Sequence, residues 1–205
     1  ALSSAASDVY KRQIVTFVSF NDSTEIAEED TLQKSSVLGM DILVNINIAP
    51  TVKMGVNLSV DGKNRIDLQG GGELAYTMNT LGDSRFTGRY NLTGGFVRYN
   101  PPIISEKLFK IQDGSYVSWN GDIADPQMSI TAVETVRTTI SEEEKNTRQV
   151  NFDISIIIKN SLENLSVSFD LSAPEDLTLQ NQLTSLTAEQ RASQAMSLLI
   201  YNTYT

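Results

Sequence analysis

The chain has 205 residues, 40% of them hydrophobic, a formal net charge of -9 at pH 7, and neither cysteine nor histidine. Lacking Cys it has no disulfide or thiolate metal site, and lacking His it has no Ser-His-Asp device and none of the commonest general base or transition-metal ligand. An acidic chain with no Lys/Arg stripe is also a poor binder of nucleic acid or of anionic lipid heads, which are recognised largely by neutralising negative charge.

Residues 1–13 (ALSSAASDVYKRQ) carry no apolar signal-peptide core and no strand pattern. The string resembles translated adapter at the ends of fragmentary environmental sequences. It is therefore set aside as a non-native or unstructured segment, with the domain taken as 14–205 and the true N-terminus expected to be missing. Ile14–Phe20 is a short β-rich run, and 21–36, with Glu25, Glu28, Glu29 and Asp30, reads as an exposed acidic loop.

The strongest signal follows. Met40, Ile42, Val44, Ile46 and Ile48 are apolar at every even position, and after Pro50 the phase resumes at Val52, Met54, Val56, Leu58 and Val60. Successive strand side chains point to opposite faces, so one face is oily while Asp41, Asn45, Asn47, Lys53, Asn57 and Ser59 meet water. The spacing predicts two strands, over 39–49 and 51–61, then a hairpin turn at Asp61-Gly62. Ile66 and Leu68 carry a strand into Gly70-Gly71-Gly72, and Leu74, Tyr76 and Met78 carry the next.

A turn-rich break at 79–84 precedes strand pieces over 85–92, 96–99, 108–111 and 116–119. Asp125-Pro126 leads into a strand at 127–137, with Met128 and Ile130 on its apolar face. A second charged loop is expected at 141–148, before strands at 150–159 and 162–172. The first of these alternates again through Val150, Phe152, Ile154, Ile156 and Ile158. One helix closes the chain: Thr187 caps it, Gln190 completes a capping box, and Ala188, Ala192, Ala195, Met196 and Leu199 recur at helical spacing. Its stripe is expected to dock on the domain's own sheet, the alternative being a plug at the end of a trough. The fold class is all-β, a long antiparallel meander with one oily face and too little helix to cover it.

Candidate chemistry is thin. Glu28-Glu29-Asp30 and Glu142-Glu143-Glu144 fall in predicted loops, whereas a glycosidase pair needs carboxylates on rigid elements flanking a cleft. Asp122 and Asp125, beside Gly121 and Pro126, read as turn-formers, and with Asp113 they lack the spacing of a calcium loop. Gly70-Gly71-Gly72 has no Lys-Ser/Thr after it, so it marks a bend or bulge rather than a phosphate cradle. The aromatics Phe86, Tyr90, Phe96, Tyr99, Tyr116 and Trp119 read as cross-strand packing, or as a stacking platform for sugars. No catalytic residue, metal site or cofactor is expected.

Between residues 71 and 136 the chain carries an ordered series of motifs. Gly71-Gly72-Glu73-Leu74 and Gly88-Arg89-Tyr90-Asn91-Leu92 come first, then Gly94-Gly95-Phe96-Val97-Arg98-Tyr99. Phe109-Lys110-Ile111-Gln112-Asp113-Gly114-Ser115, Trp119-Asn120-Gly121-Asp122 and Asp125-Pro126 follow. This series resembles the C-terminal domain of TamB, the translocation and assembly module subunit, within the AsmA-like repeating β-groove superfamily; the likeness covers about residues 39 to 205. The resemblance implies a taco-like sheet with an open apolar concave side. It also implies a non-enzymatic periplasmic protein of diderm bacteria, anchored in the inner membrane in its full-length form. The implied partners are an Omp85-type outer-membrane barrel (TamA-like or BamA-like), phospholipid acyl chains and nascent outer-membrane proteins. The acidic stretch 21–36 and the charged insertion 141–148 depart from the family pattern. On this reading the alternating residues named above, from Met40 to Val60 with Ile66, Leu68, Leu74, Tyr76, Met128, Ile130 and Val150 to Ile158, line the groove. The rival readings are a closed β-sandwich or β-solenoid used in adhesion or carbohydrate binding and, third, an enzyme acting on envelope glycans.

Overall fold

The computed structural model describes residues 39–143 and 146–205. The segment 1–13, the run Ile14–Phe20 and the acidic stretch 21–36 lie outside the described residues. Eight strands form one antiparallel sheet: β1 (Ile42–Asn57), β2 (Arg65–Met78), β3 (Ser84–Tyr99), β4 (Lys107–Ile111), β5 (Tyr116–Gly121), β6 (Gln127–Glu143), β7 (Asn146–Ser161) and β8 (Ser166–Ser172). Two helices follow, α1 (Leu177–Ser185) and α2 (Ala188–Tyr201). Strand order is β1-β2-β3-β4-β6-β7-β8, with β5 continuing the β4 position between β3 and β6. This single curled layer is an open groove, not a barrel and not a pair of stacked sheets.

Several predicted breaks are continuous strand. Pro50 does not divide two strands; β1 runs through it, with a register shift between Ile48 and Val52. A proline is tolerated there because, among the described residues, β1 pairs only with β2, so its missing N–H falls on an edge of the described sheet, at a bulge. Gly70 to Gly72 likewise stay inside β2, opposite Leu92, Asn91 and Tyr90 of β3. The charged stretch 141–148, expected as a loop, is the tip of the β6–β7 hairpin, where pairing reaches Ser141–Thr147 and Glu143–Asn146. Long strands carry that pairing outward, with a register shift between Ser141 and Glu143.

The glycine strip in β2 lets the sheet bend. With no side chains over it, the Tyr90 ring spans from β3 to β1, where its hydroxyl donates to the Val52 carbonyl at 2.6 Å. Nearby, Thr93 donates to the Pro50 carbonyl at 3.1 Å. The curl brings β8, at one end of the sheet, over the middle strands β3 and β4. Phe169 of β8 packs edge-on against Tyr99 of β3, with centroids 5.3 Å apart, and lies 6.4 Å from Phe109 of β4. That aromatic wedge closes the β3–β4–β8 side of the concave face.

The helices close another part. One C-terminal helix was expected, and there are two. Asp176 caps α1 by accepting from the Leu179 N–H at 3.0 Å, and Leu179 and Leu183 are buried. The predicted Thr187–Gln190 capping box is present on α2, which buries Ala195, Leu198 and Leu199 and packs on β8. Beyond α2, Asn202 turns the chain in the left-handed conformation, its carbonyl accepts from Thr138, and Tyr204 stacks on Phe152 at 4.9 Å. Burial there pushes the Tyr204 phenol pKa up. The helical stripe therefore docks on the sheet, the first of its two expected roles.

Asp176 also receives the Arg148 guanidinium, and this pair with the Leu179 N–H holds its carboxyl below the usual Asp value of 3.8. A depressed folded pKa stabilises the fold above the unfolded value and loses that contribution as pH falls through the folded one. Asp176→Asn should therefore lower the melting temperature at neutral pH, and the gap from wild type should close as pH drops below 3.8. Thermal melts followed by circular dichroism at both pH values check this; a gap that widens in acid would refute it.

Candidate functional site

The motif series seen in the sequence builds the floor of a trough. Phe109 and Ile111 point to the concave side and are buried. Gly114 then takes a φ of +87°, the left-handed turn that interrupts the β4–β5 line. Ser115, also buried, bridges the interruption. Its hydroxyl accepts from the Thr131 N–H at 3.1 Å and donates to the Thr131 carbonyl at 3.3 Å, while its own carbonyl accepts from Leu92 N–H at 3.0 Å.

Next comes Trp119, 4% exposed, whose indole N–H donates to the Ile123 carbonyl at 3.0 Å. Phe86 meets it edge-on, centroids 5.4 Å apart at 88°. Asp122 accepts from the Ala124 N–H at 2.8 Å, and Asp125 accepts from the Glu163 N–H at 3.1 Å. Both carboxylates thus serve turn geometry, which places Ile123, Pro126 and Leu162 along one rim. Among the described residues no group of three His, Cys, Asp or Glu side chains is placed to hold a metal ion.

Above this floor β1 forms the other wall. One compartment of about 420 Å³ lies among Ile46, Ile48, Val52, Leu74, Phe86 and Ile123. A second, of about 170 Å³, lies among Val56, Leu68, Val117, Pro126, Met128 and Leu162. Met54 and Trp119 line both. Leu68, Leu74, Phe86 and Trp119 at the floor are buried, as is Met54 of β1, whereas Ile46, Ile48, Val52 and Val56 of β1 and the rim residues Ile123 and Leu162 are half-buried. The trough is open along its rims and closed at its floor.

The structure divides the residues predicted to line the groove into groups. Ile46, Ile48, Val52, Met54, Val56, Leu68, Leu74 and Met128 are brought together around the trough. Ile42, Val44 and Tyr76 continue the same apolar face toward an uncovered end, and Leu58 and Ile66 pack against the core, Ile66 fully buried. Met40 precedes β1 and is 55% exposed, and Val60 stands fully exposed in the β1–β2 turn, so neither is a wall residue. Ile130, Val150, Phe152, Ile154, Ile156 and Ile158 are buried, five of the six in β7, beneath α2, its C-terminal tail and the Phe169 wedge. They form closed core because α2 and β8 supply the cover that periodicity cannot report.

Sequence reasoning omitted Phe86, Trp119, Ile123, Pro126 and Leu162 from the lining. Trp119 and Phe86 stood in the aromatic cluster that signalled packing, but the rim residues come from turns, where alternation has no meaning. Of the other clustered aromatics, Tyr90 is fully buried, Tyr116 lies under the Arg89 guanidinium at 3.8 Å, and Phe96 is exposed on the convex side. They do not form one platform.

Fold and site together define an open β-groove domain: one curled sheet with an apolar trough along β1 that the described residues leave open. The model of the TamB C-terminal domain family matches residues 2–204, and the chain belongs to that family. No curated protein and no solved structure matches the chain. Among the described residues no helix is long and apolar enough to cross a membrane.

Proposed function

We propose that this domain is a non-enzymatic groove module of a TamB-like protein in the periplasm. It supports outer-membrane biogenesis by carrying phospholipid acyl chains between the inner and outer membranes, working with an Omp85-type barrel (TamA-like or BamA-like). The full-length protein would be anchored in the inner membrane. The observation that carries this reading is the trough itself, an apolar channel open to the outside on a family member of envelope type. Hydrocarbon moved along it gains about 0.8 kcal/mol per methylene kept from water. That gain requires no charge and no catalytic group.

A second reading, assistance to nascent outer-membrane proteins, is favoured by one feature. The 16-residue β1 has a partner on one side only among the described residues, so its outer edge offers a ladder to an incoming strand. Native mass spectrometry of mildly purified protein tests the lipid reading. Adducts at phospholipid masses, lost on delipidation and regained on adding vesicles, are expected; a protein that stays bare in the presence of vesicles would overturn it.

A further inference from the structure

Along the chain the cations form no run, but folding gathers several of them on one face. Directly opposite residues of paired strands share a face. The register therefore puts Lys53 of β1, Arg65 of β2, Arg85, Arg89 and Arg98 of β3 and Lys110 of β4 on the convex side. Within strands β1–β5 that side carries two carboxylates, Asp67 and Glu73. Other acids lie in turns and on the helices, as Asp113, Asp122, Asp125, Glu163, Glu175 and Glu189 do. A chain with a net charge of -9 thus bears a positive back.

The pairing shows where the excess charge sits. Asp67 binds Arg65 at 2.7 Å and Arg98 at 3.0 Å, and Arg98 also reaches Glu106 at 3.4 Å, so these four balance. Arg85 donates to the neutral Asn120 amide at 3.2 Å. Arg89 lies opposite Glu73, but its guanidinium is turned over the Tyr116 ring, 3.8 Å from the centroid. Lys53 and Lys110 are exposed, opposite Gln69 and Phe96. Two large apolar side chains stand among these cations: Phe96, 46% exposed, and Leu108, 44% exposed.

Shape narrows the partner. The curl that carries β8 over β3 and β4 runs about an axis along the strands, so the back of β3 is a ridge. A flat surface touches such a ridge along its length. The centre of a protein–protein interface is depleted of charge, whereas here the cations are central and the apolar side chains few. In a bilayer surface anionic phosphates overlie hydrocarbon, and a face of cations with single apolar side chains meets both layers.

We propose that the convex face of β1–β5 docks on an anionic phospholipid surface. Lys53, Arg85, Arg89 and Lys110 meet the phosphates, and Phe96 and Leu108 dip beneath them. The trough, on the opposite face of the sheet, stays clear of that surface. This stands apart from the lipid reading of the trough and holds whatever the trough carries.

Flotation of the full chain with vesicles tests it, using phosphatidylglycerol mixed into phosphatidylcholine, and phosphatidylcholine alone. The chain should float with the first and not with the second. It should be released as salt rises to 1 M, where the screening length falls to about 3 Å. Lys53→Gln, Arg89→Gln and Lys110→Gln combined should weaken binding on the order of a hundredfold, at about fivefold per cation. Lys159→Gln, on β7 away from the ridge, should leave it nearly unchanged. Phe96→Ser should weaken it several-fold without altering its salt dependence. Circular dichroism checks that each variant folds, and the comparison of vesicles and salt on the unaltered chain decides the matter if one does not. Equal flotation with neutral vesicles would place the contact on an apolar face and overturn the ridge. No flotation with either would overturn it too, while sparing the trough. Binding to soluble polyglutamate as tight as to the anionic vesicles would make the partner an acidic protein instead.

Discussion

Ile156→Lys should abolish folding, whereas Val56→Glu should leave a folded, soluble domain that no longer retains lipid. Both positions are apolar and even-numbered, and in the sequence they look alike. In the structure Ile156 is 1% exposed, in register between Ala132 of β6 and Phe169 of β8. An ammonium placed there has no partner and no path to water. An unpaired buried charge costs several kcal/mol, and a domain's whole stability is about 5–15 kcal/mol. Val56, half-buried on the edge strand, lines the mouth of the smaller compartment, where a carboxylate can turn to solvent. Its cost is to the trough, since hydrocarbon is not seated beside a charge. Soluble yield and thermal melts separate the two variants, and lipid retention by native mass spectrometry then reads Val56→Glu. A cooperatively melting Ile156→Lys protein would mean that the β7 face is open rather than core.

The pair also marks what was legible in the chain. A period of two says which residues share a face, and every alternating run lies on a strand or immediately beside one. It does not say what lies over the face. Phe169 closes one part of the concave side from β8, and Tyr204 covers Phe152 from the tail, contacts that join residues far apart in sequence. Strand ends were misjudged where local signals were strongest. Pro50 and the Gly70 to Gly72 strip read as punctuation, yet the chain uses them within strands, the proline on an edge and the glycines where backbones approach. Helix α1 was missed because Leu177–Ser185 is polar on most of its turns, and its cap is an aspartate that also suits a strand end. The motif series, by contrast, pointed to the right place. Its glycines, serine and tryptophan are the parts that shape the trough floor.

Those glycines yield the second large effect: Gly95→Ala should strongly destabilise the domain, and Gly94→Ala beside it should be nearly neutral. A Cβ on Gly95 would meet the Asp67 carbonyl oxygen at 2.0 Å and the Leu68 Cα at 3.1 Å, both backbone atoms of β2 that cannot rotate aside. Its φ of +117° is also one that side chains avoid. Overpacking costs about 1–3 kcal/mol and a strained backbone about 1–3 more, so the loss is a large share of a typical stability. A Cβ on Gly94 would find only the end of the Gln69 side chain, at 3.9 Å. Gly62→Ala separates the two contributions, because Gly62 has a φ of +71° with nothing within 4 Å and should show the backbone term alone. Urea unfolding of the three variants should rank them Gly95→Ala far below Gly62→Ala, with Gly94→Ala close to wild type. The close approach of β3 to β2 at Gly95 lies two residues before Val97, beneath the strands that carry Leu68 into the trough. If Gly95→Ala were as stable as Gly94→Ala, β2 and β3 would have to pack less tightly at this point than they do here.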